Sequence, residues 1–418
     1  LQVMIFENEG QEVGHRILFL SYWSADEPLV RSTIVPYLRM MSEHPRIEKV
    51  IFYTVERGGR THLEETQGLQ GVEHRFFRMR FNKFKLLSRS YTFLFILFDL
   101  LRTVRKERVT MIDSKAALAG GIAYLVHRLS GTPYMVESFE PHSDYMADCG
   151  IWSRHGLYYK VSRWLEFEQR RTAKWLITVT WNYYRFLLEN GVPKERIKVI
   201  PSITDQVQFK FNPDARARKR RELGWTDMTV GIYVGKFGGL YYEQEAFLIF
   251  RQMMDRMGSN YNLIILTNEP IVNVRECLTR AGIPHDRVLV KYSPHNEVPD
   301  WLSVADHAFS TIRYSPNGLY QSPVKNGEYW MNGLPILLTE GVSDDHLLIR
   351  ERPWSGAVFD LSKEGSVEKG IEHMATLLVS GVDRQRIMEM GKEFRSMAIA
   401  EHVYEEVFGA KDRQRSSP

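Results

Sequence analysis

From residue 16 onward, short runs of apolar residues alternate with stretches whose apolar positions recur every three to four residues. Arg16-Ile-Leu-Phe-Leu-Ser-Tyr, Lys49-Val-Ile-Phe-Tyr-Thr-Val, 74–81, Thr110-Met-Ile-Asp, Pro133-Tyr-Met-Val-Glu-Ser, Trp175-Leu-Ile-Thr-Val-Thr and Ile197-Lys-Val-Ile-Pro read as strands. The segments 29–43, 91–106 and 116–129 between them have helical period. Short, nearly continuous apolar strands separated by helices are the pattern of a parallel sheet covered on both faces. The first half is therefore expected to be doubly wound.

At 210–225 the rhythm breaks with Asn-Pro-Asp and the basic run Arg-Ala-Arg-Lys-Arg-Arg, which predicts a linker and the first helix of a new domain. Val230-Gly-Ile-Tyr-Val-Gly opens a second series of strands, continued by Asn262-Leu-Ile-Ile-Leu-Thr, Val288-Leu-Val-Lys, His307-Ala-Phe-Ser-Thr, Pro335-Ile-Leu-Leu-Thr and Gly356-Ala-Val-Phe-Asp. Helices are expected over 243–257, 272–281 and 298–304, and the charged tail 384–408 is again helical in period. The fold class is α/β, with a domain over 1–206 and another over 207–383. Ligands of such sheets gather at the carboxyl ends of the strands.

Length agrees, since 418 residues exceed what one hydrophobic core usually holds. The apolar fraction of 44% is that of a soluble globular protein. Two cysteines exclude a disulfide framework and a cysteine-rich zinc site, and a cytoplasmic location fits them. A net charge of +4 is too small to mark the whole chain as a polyanion binder. The first nine residues are acidic and lack a long apolar core, so no secretory leader is expected there. The longest apolar run, 93–101, is about half the length that spans a bilayer.

The stretch Ser322-Pro-Val-Lys-Asn-Gly-Glu-Tyr-Trp-Met-Asn-Gly-Leu-Pro predicts a loop, a helix opening near Pro323 and a stop at Gly333. A helix N-terminus carries partial positive charge, and Lys325 beside it suits a diphosphate. Glu328, in the first turns of that helix, is placed to accept hydrogen bonds from a ribose diol. An ordinary helix start with a surface lysine and glutamate fits the same spacing.

Here the chain resembles the retaining glycosyltransferases of family 4. Many of these carry Pro-x-Lys-x-x-Glu-Tyr-x-x-x-Gly-x-Pro, which stands here as Pro323, Lys325, Glu328, Tyr329, Gly333 and Pro335. Tyr233-Val-Gly235-Lys236 is similar to their strand ending in Gly-Arg or Gly-Lys. Val199-Ile-Pro-Ser-Ile-Thr-Asp205 resembles their domain-junction motif, and Ala305-Asp306 with Phe309-Ser310 resembles a fourth block. The resemblance implies the GT-B architecture, two Rossmann-like domains facing a cleft, with 384–418 packing back on the first domain. It implies sugar transfer with retention from a nucleotide-sugar donor, UDP- or GDP-linked, to a carbohydrate or lipid-linked hydroxyl acceptor, in polysaccharide or glycoconjugate biosynthesis. Lys236 and Gly235 would meet the diphosphate, with Lys325 close by, and Glu328 would hold the ribose. No cofactor is implied, and no metal: a departing nucleoside diphosphate needs its charge met by fixed cations or dipoles, which lysines and a helix N-terminus supply.

The chain also departs from that pattern. Where the family has a glutamate contacting the donor sugar there is Tyr320, and where it has a second basic residue there are Tyr241 and Tyr242. A nucleotide-sugar epimerase on the same fold and a catalytically silent nucleotide-sugar-binding or scaffold subunit are the alternative readings. In the first half, Glu137-Ser-Phe-Glu140-Pro-His142-Ser-Asp144 follows a strand where the family often has a histidine facing the donor sugar. His142 is the candidate residue on the catalytic face, and Glu140 a candidate sugar or acceptor contact; a loop histidine capped by a neighbouring carboxylate is the plainer reading. Gly341, in the turn after a strand, permits a close backbone approach to the donor. His295 precedes a helix in a loop that lies near the nucleotide base in the family, though a surface turn is its plainer reading, and Asp205 reads as a turn residue. The segment 75–108 combines ten Arg and Lys side chains with Phe93-Leu-Phe-Ile-Leu-Phe. That combination suits a peripheral contact with the inner face of the cell membrane, or a sheet-covering helix with a solvated basic end. The run 216–221 has no interleaved aromatics, so no nucleic-acid partner is expected.

Overall fold

The computed structural model describes residues 14–57, 66–79, 85–138 and 140–409. Among them thirteen strands form two sheets. The strands are β1 (His15–Ser21), β2 (Ile47–Glu56), β3 (Val72–Arg78), β4 (Met111–Lys115), β5 (Tyr134–Ser138), β6 (Trp175–Thr178) and β7 (Ile197–Val199). The second series is β8 (Thr229–Val234), β9 (Tyr261–Leu266), β10 (Val288–Lys291), β11 (His307–Ser310), β12 (Ile336–Thr339) and β13 (Gly356–Phe359). The first sheet has the order β3-β2-β1-β4-β5-β6-β7 and the second β10-β9-β8-β11-β12-β13. Strand pairing is parallel, as at Phe19–Phe52 and Ile232–Ile264. The expected α/β class is therefore found. By internal contacts the chain divides into two compact units, 1–137 with 172–175 and 401–418, and 138–171 with 176–400.

The continuous apolar strands are explained by burial on both faces. In β9, Leu263 and Ile265 point into the layer of Phe247, Phe250, Met253 and Met374. Ile264 and Leu266 point the other way, into the layer of Leu302, Trp330, Ile336 and Met390. With a period of two, both sets must be apolar. Each such side chain contributes roughly 1.5–3 kcal/mol on burial.

In the first unit, the end of the helix Met397–Gly409 closes the core. Val403, Tyr404, Val407 and Phe408 are buried, and the Phe408 ring lies 5.1 Å from His15. Tyr404 Oη donates to Asp113 Oδ2 at 2.6 Å. Lys115 and Glu137, opposite each other on β4 and β5, form a buried ion pair, and the Lys115 ammonium lies 4.0 Å from the Tyr37 ring centre. Burial and the nearby Glu137 push the Asp113 carboxyl well above its usual range.

Two helices expected as single pieces are each divided. The segment expected at 29–43 forms Pro28–Thr33 and Val35–Glu43, because Pro36 has no amide hydrogen to continue the ladder. The tail forms Arg384–Arg395 and Met397–Gly409. There the backbone turns extended at Ser396, and the Arg395 carbonyl accepts from Thr204 N at 2.8 Å. The acidic start, where no leader is expected, lies outside the described residues, as do Arg80 and Lys83 of the basic segment.

Candidate functional site

The predicted donor-binding residues all lie in the second unit. β8 ends at Val234, whose amide donates to Tyr329 Oη at 3.0 Å. This bond fastens the strand end to the helix Val324–Met331, of which Tyr329, Trp330 and Met331 are buried. Lys325, on the first turn of that helix, folds back toward the strand end. Its ammonium lies 4.7 Å from the Tyr233 ring centre and 4.5 Å from that of Tyr241. The nitrogen is buried and has no hydrogen-bond partner. Burial pulls its pKa down to about 7, against the opposing pull of Glu328. The two ring faces attract the cation but accept no ordinary hydrogen bond.

Gly235 is what lets the amine come so near. Its φ is +144°, and a Cβ there would stand 2.9 Å from Lys325 Nζ. Lys236 follows on the exposed turn, and its carbonyl accepts from Tyr233 Oη.

Glu328 is buried one turn along, with Oε1 3.2 Å from His295 Nε2. Gln208 Nε2 lies 3.3 Å from the other ring nitrogen of His295. An amide donor at Nδ1 leaves the ring proton on Nε2, where it donates to the carboxylate. Asp205, as expected, is a turn residue, accepting from the amides of Val207 and Gln208. His295 is a correction to the sequence reading: it is a partner of the ribose-binding candidate, not only part of a surface turn. The sequence signals for it are its place after a strand in Ser293-Pro-His-Asn-Glu and the nearness of that loop to the nucleotide base in the family it resembles.

Around the same strand ends, Ser315 Oγ, Asn326 Oδ1, Thr339 Oγ1 and Ser343 Oγ are also buried without hydrogen-bond partners. Buried polar atoms are nearly always paired, so these four are open to a partner from outside the protein. Ser343 holds a left-handed φ of +63°, in the turn that contains Gly341. A Cβ on Gly341 would stand 2.8 Å from the Tyr314 ring, so this glycine is required by a side chain of the protein itself. Underneath, Arg395 and Asp345 form a buried ion pair. Asp345 accepts from Asn326 Nδ2 at 2.7 Å, and Arg395 donates to Ser322.

Tyr320 belongs to a different group. Its ring packs 5.5 Å from Tyr183 and 5.3 Å from Phe186, and its carbonyl accepts from Thr180 Oγ1 at 3.1 Å. His142 forms a third group. Its Nδ1 is 2.7 Å from Glu140 Oε1, and its ring meets Trp152 edge-on at 5.5 Å. Burial works against the imidazolium, but Glu140 and Glu166 outweigh it and raise the pKa. Glu166, which the sequence reading missed, accepts from Ser143 N and Oγ at 2.9 and 3.1 Å. Burial pushes it up to about 7.

Of the basic segment 75–108, Arg75 is engaged by Glu73 and Glu107. Ile96, Leu100 and Val104 face the core, while Leu94 and Phe98 are exposed. No described helix is long and apolar enough to cross a membrane. A cavity of about 310 Å³ lies by Thr229 at the start of β8, lined in part by Arg220, Asp306 and Arg384. Asp306 pairs with Arg216 and Arg220 at 2.6 Å and with Arg384 at 3.6 Å, so one carboxylate is shared by three guanidinium groups.

Residues 46–206 match the model of Glycosyltransferase Family 4. No curated protein matches the chain. Among solved structures, Anabaena Alr3699/HepE in complex with UDP-glucose superposes with a TM-score of 0.69 at 14% identity, over 94% of this chain and 100% of that one. Sucrose-phosphate synthase from Thermosynechococcus elongatus gives 0.69 at 13% identity, over 95% and 100%. A Listeria monocytogenes protein assigned as a UDP-N-acetylglucosamine 2-epimerase gives 0.60 at 13%, over 97% and 100%. With its two Rossmann-like parallel sheets, the chain has the GT-B fold that these structures share.

Proposed function

We propose that the protein is a glycosyltransferase that moves a sugar from a nucleotide-sugar donor to a hydroxyl acceptor, with retention and without a metal ion. The observation that carries this is the buried, unpartnered ammonium of Lys325 at the start of the helix that also bears Glu328. A diphosphate supplies the acceptor atoms that amine lacks, and a ribose diol donates to the carboxylate three residues on. The match to Glycosyltransferase Family 4 and the UDP-glucose complex of a GT-B neighbour support the same donor chemistry.

In this reading Lys325 takes the part of the second cation absent at positions 241 and 242. Tyr241 no longer offers a charge but holds the lysine that does. Lys236, on the exposed turn after Gly235, meets the same phosphates from the strand side. Two ammonium groups and a helix N-terminus then receive the charge that develops as the sugar–phosphate bond breaks. His142, held by Glu140, faces the sugar.

The packing of Tyr320 on Tyr183 and Phe186 favours one rival, since it puts an aromatic anchor where the family has a sugar-facing carboxylate. A silent nucleotide-sugar-binding subunit would bind donor and never turn it over. The experiment is a binding and hydrolysis screen over UDP- and GDP-sugars with EDTA present. Slow release of nucleoside diphosphate, lost in both Lys236→Ala and Glu328→Ala, is expected. Binding without any turnover would favour the silent subunit, and binding that survives both substitutions would place the donor elsewhere.

A further inference from the structure

The helix Leu157–Thr172 is amphipathic in the reverse sense. Its buried positions are Tyr159, Ser162, Glu166 and Gln169, spaced three or four apart. These are the positions that apolar residues would ordinarily fill. The outward face instead carries Leu157 at 76% exposure, Val161 at 45%, Trp164 at 50% and Phe167 at 54%, with Ile151 exposed in the turn before it. The side chains at 157, 161 and 164 form one stripe, because residues three and four apart are neighbours on a helix. The inversion is fixed from within: Glu166 is held by the amide and hydroxyl of Ser143, so the helix cannot roll its apolar side inward without leaving that carboxylate unsatisfied.

The charges on the outward face are basic. Lys160, Arg163 and Arg171 are exposed among the apolar residues. The carboxylates of the helix are both engaged, Glu166 by Ser143 and Glu168 by Arg171 at 3.2 Å. The Arg171 guanidinium lies over the Phe167 ring at 5.8 Å, keeping cation and apolar anchor together.

We propose that this helix docks the protein on an anionic membrane surface. Leu157, Val161 and Phe167 enter the boundary between headgroups and acyl chains, and Lys160 and Arg163 meet lipid phosphates. Charge complementarity selects this occupant. A second copy of the chain would bring the same cationic face against itself, which repels, whereas an anionic leaflet offers apolar depth and opposite charge at once. The docking stands whether or not the donor site turns over, so the two are tested apart.

The test is flotation of the full chain with vesicles of phosphatidylcholine and phosphatidylglycerol at 3:1, and with phosphatidylcholine alone. Preferential binding to the anionic vesicles is expected, weakening at least fivefold between 0.1 and 0.5 M salt, with a blue shift of tryptophan emission. Val161→Asp with Phe167→Asp, and separately Lys160→Glu with Arg163→Glu, should each lower the partition coefficient tenfold or more. The Val161 and Phe167 substitutions are at exposed positions and should leave the melting temperature and UDP binding unchanged. Arg163 also donates to Tyr159 Oη at 2.8 Å, so a variant that loses either property is replaced by Val161→Ser with Phe167→Ser or by Lys160→Glu alone. Leu94→Asp with Phe98→Asp should leave binding through Leu157–Thr172 in place. The proposal is overturned if vesicles are not bound, or if only the Leu94 and Phe98 pair abolishes binding. It is equally overturned if sedimentation shows a dimer that the Val161 and Phe167 pair dissolves.

Discussion

At the scale of single residues, Lys325 is the group whose chemistry is most exposed to test. Only its ammonium form binds phosphate, and burial brings its pKa down to about 7, so the competent fraction falls as pH rises above 7. Calorimetric titration with UDP is therefore expected to show affinity declining between pH 6.5 and 8.5, by up to about tenfold per unit. Lys325→Met should flatten that profile and weaken binding at pH 6.5 by the worth of a charge-assisted contact, about 1.5–3 kcal/mol. The ligand-free Met variant should melt at a higher temperature. A lysine whose folded pKa lies below its unfolded value of about 10.4 destabilises most at low pH, so the gain should be largest below pH 7 and fade above it. Glu328→Gln keeps the shape but loses the charged acceptor, and UDP affinity should fall about tenfold while uracil alone binds unchanged.

At the scale of elements, the helix bearing Lys325 and Glu328 is held by its contact with Arg384–Arg395. Gly391 meets the Trp330 and Met331 backbone so closely that a Cβ there would stand 3.0 Å from Trp330 C. Gly391→Val should cost about 1–3 kcal/mol in urea unfolding, the usual price of overpacking. Arg395→Ala strands Asp345 in the interior and should cost more, about 3–5 kcal/mol. Both should weaken UDP binding through the displaced helix. The strands were legible in the sequence because both sheets are covered on both sides, so strands such as Tyr261–Leu266 are apolar throughout. Pro323 and Gly333 likewise bracket the site helix as expected. The pairings were not legible. His295 and Glu328 stand 33 residues apart, and no local periodicity links one to the other. The helix Leu157–Thr172 hid Glu166 for a sharper reason: its apolar stripe points outward, so a reading that buries apolar residues places the glutamate on the wrong side.

At the scale of the whole molecule, the first unit depends on residues far from it in sequence. Tyr404→Phe would leave the Asp113 carboxyl without its hydroxyl donor in a closed interior, and should lower stability by about 1–3 kcal/mol in thermal unfolding. Removing 401–418 uncovers the apolar surface against which Tyr404 and Phe408 pack, and dye binding to exposed hydrophobic surface should report it. The same arrangement sets an order of events during translation. A ribosome delivers β1 to β5 first, but it must then deliver all of 138–400 before the residues that seal their core arrive. The second unit can therefore gather its contacts while the first is still open, and β1 to β5 wait for a closing helix that follows the whole of the second unit.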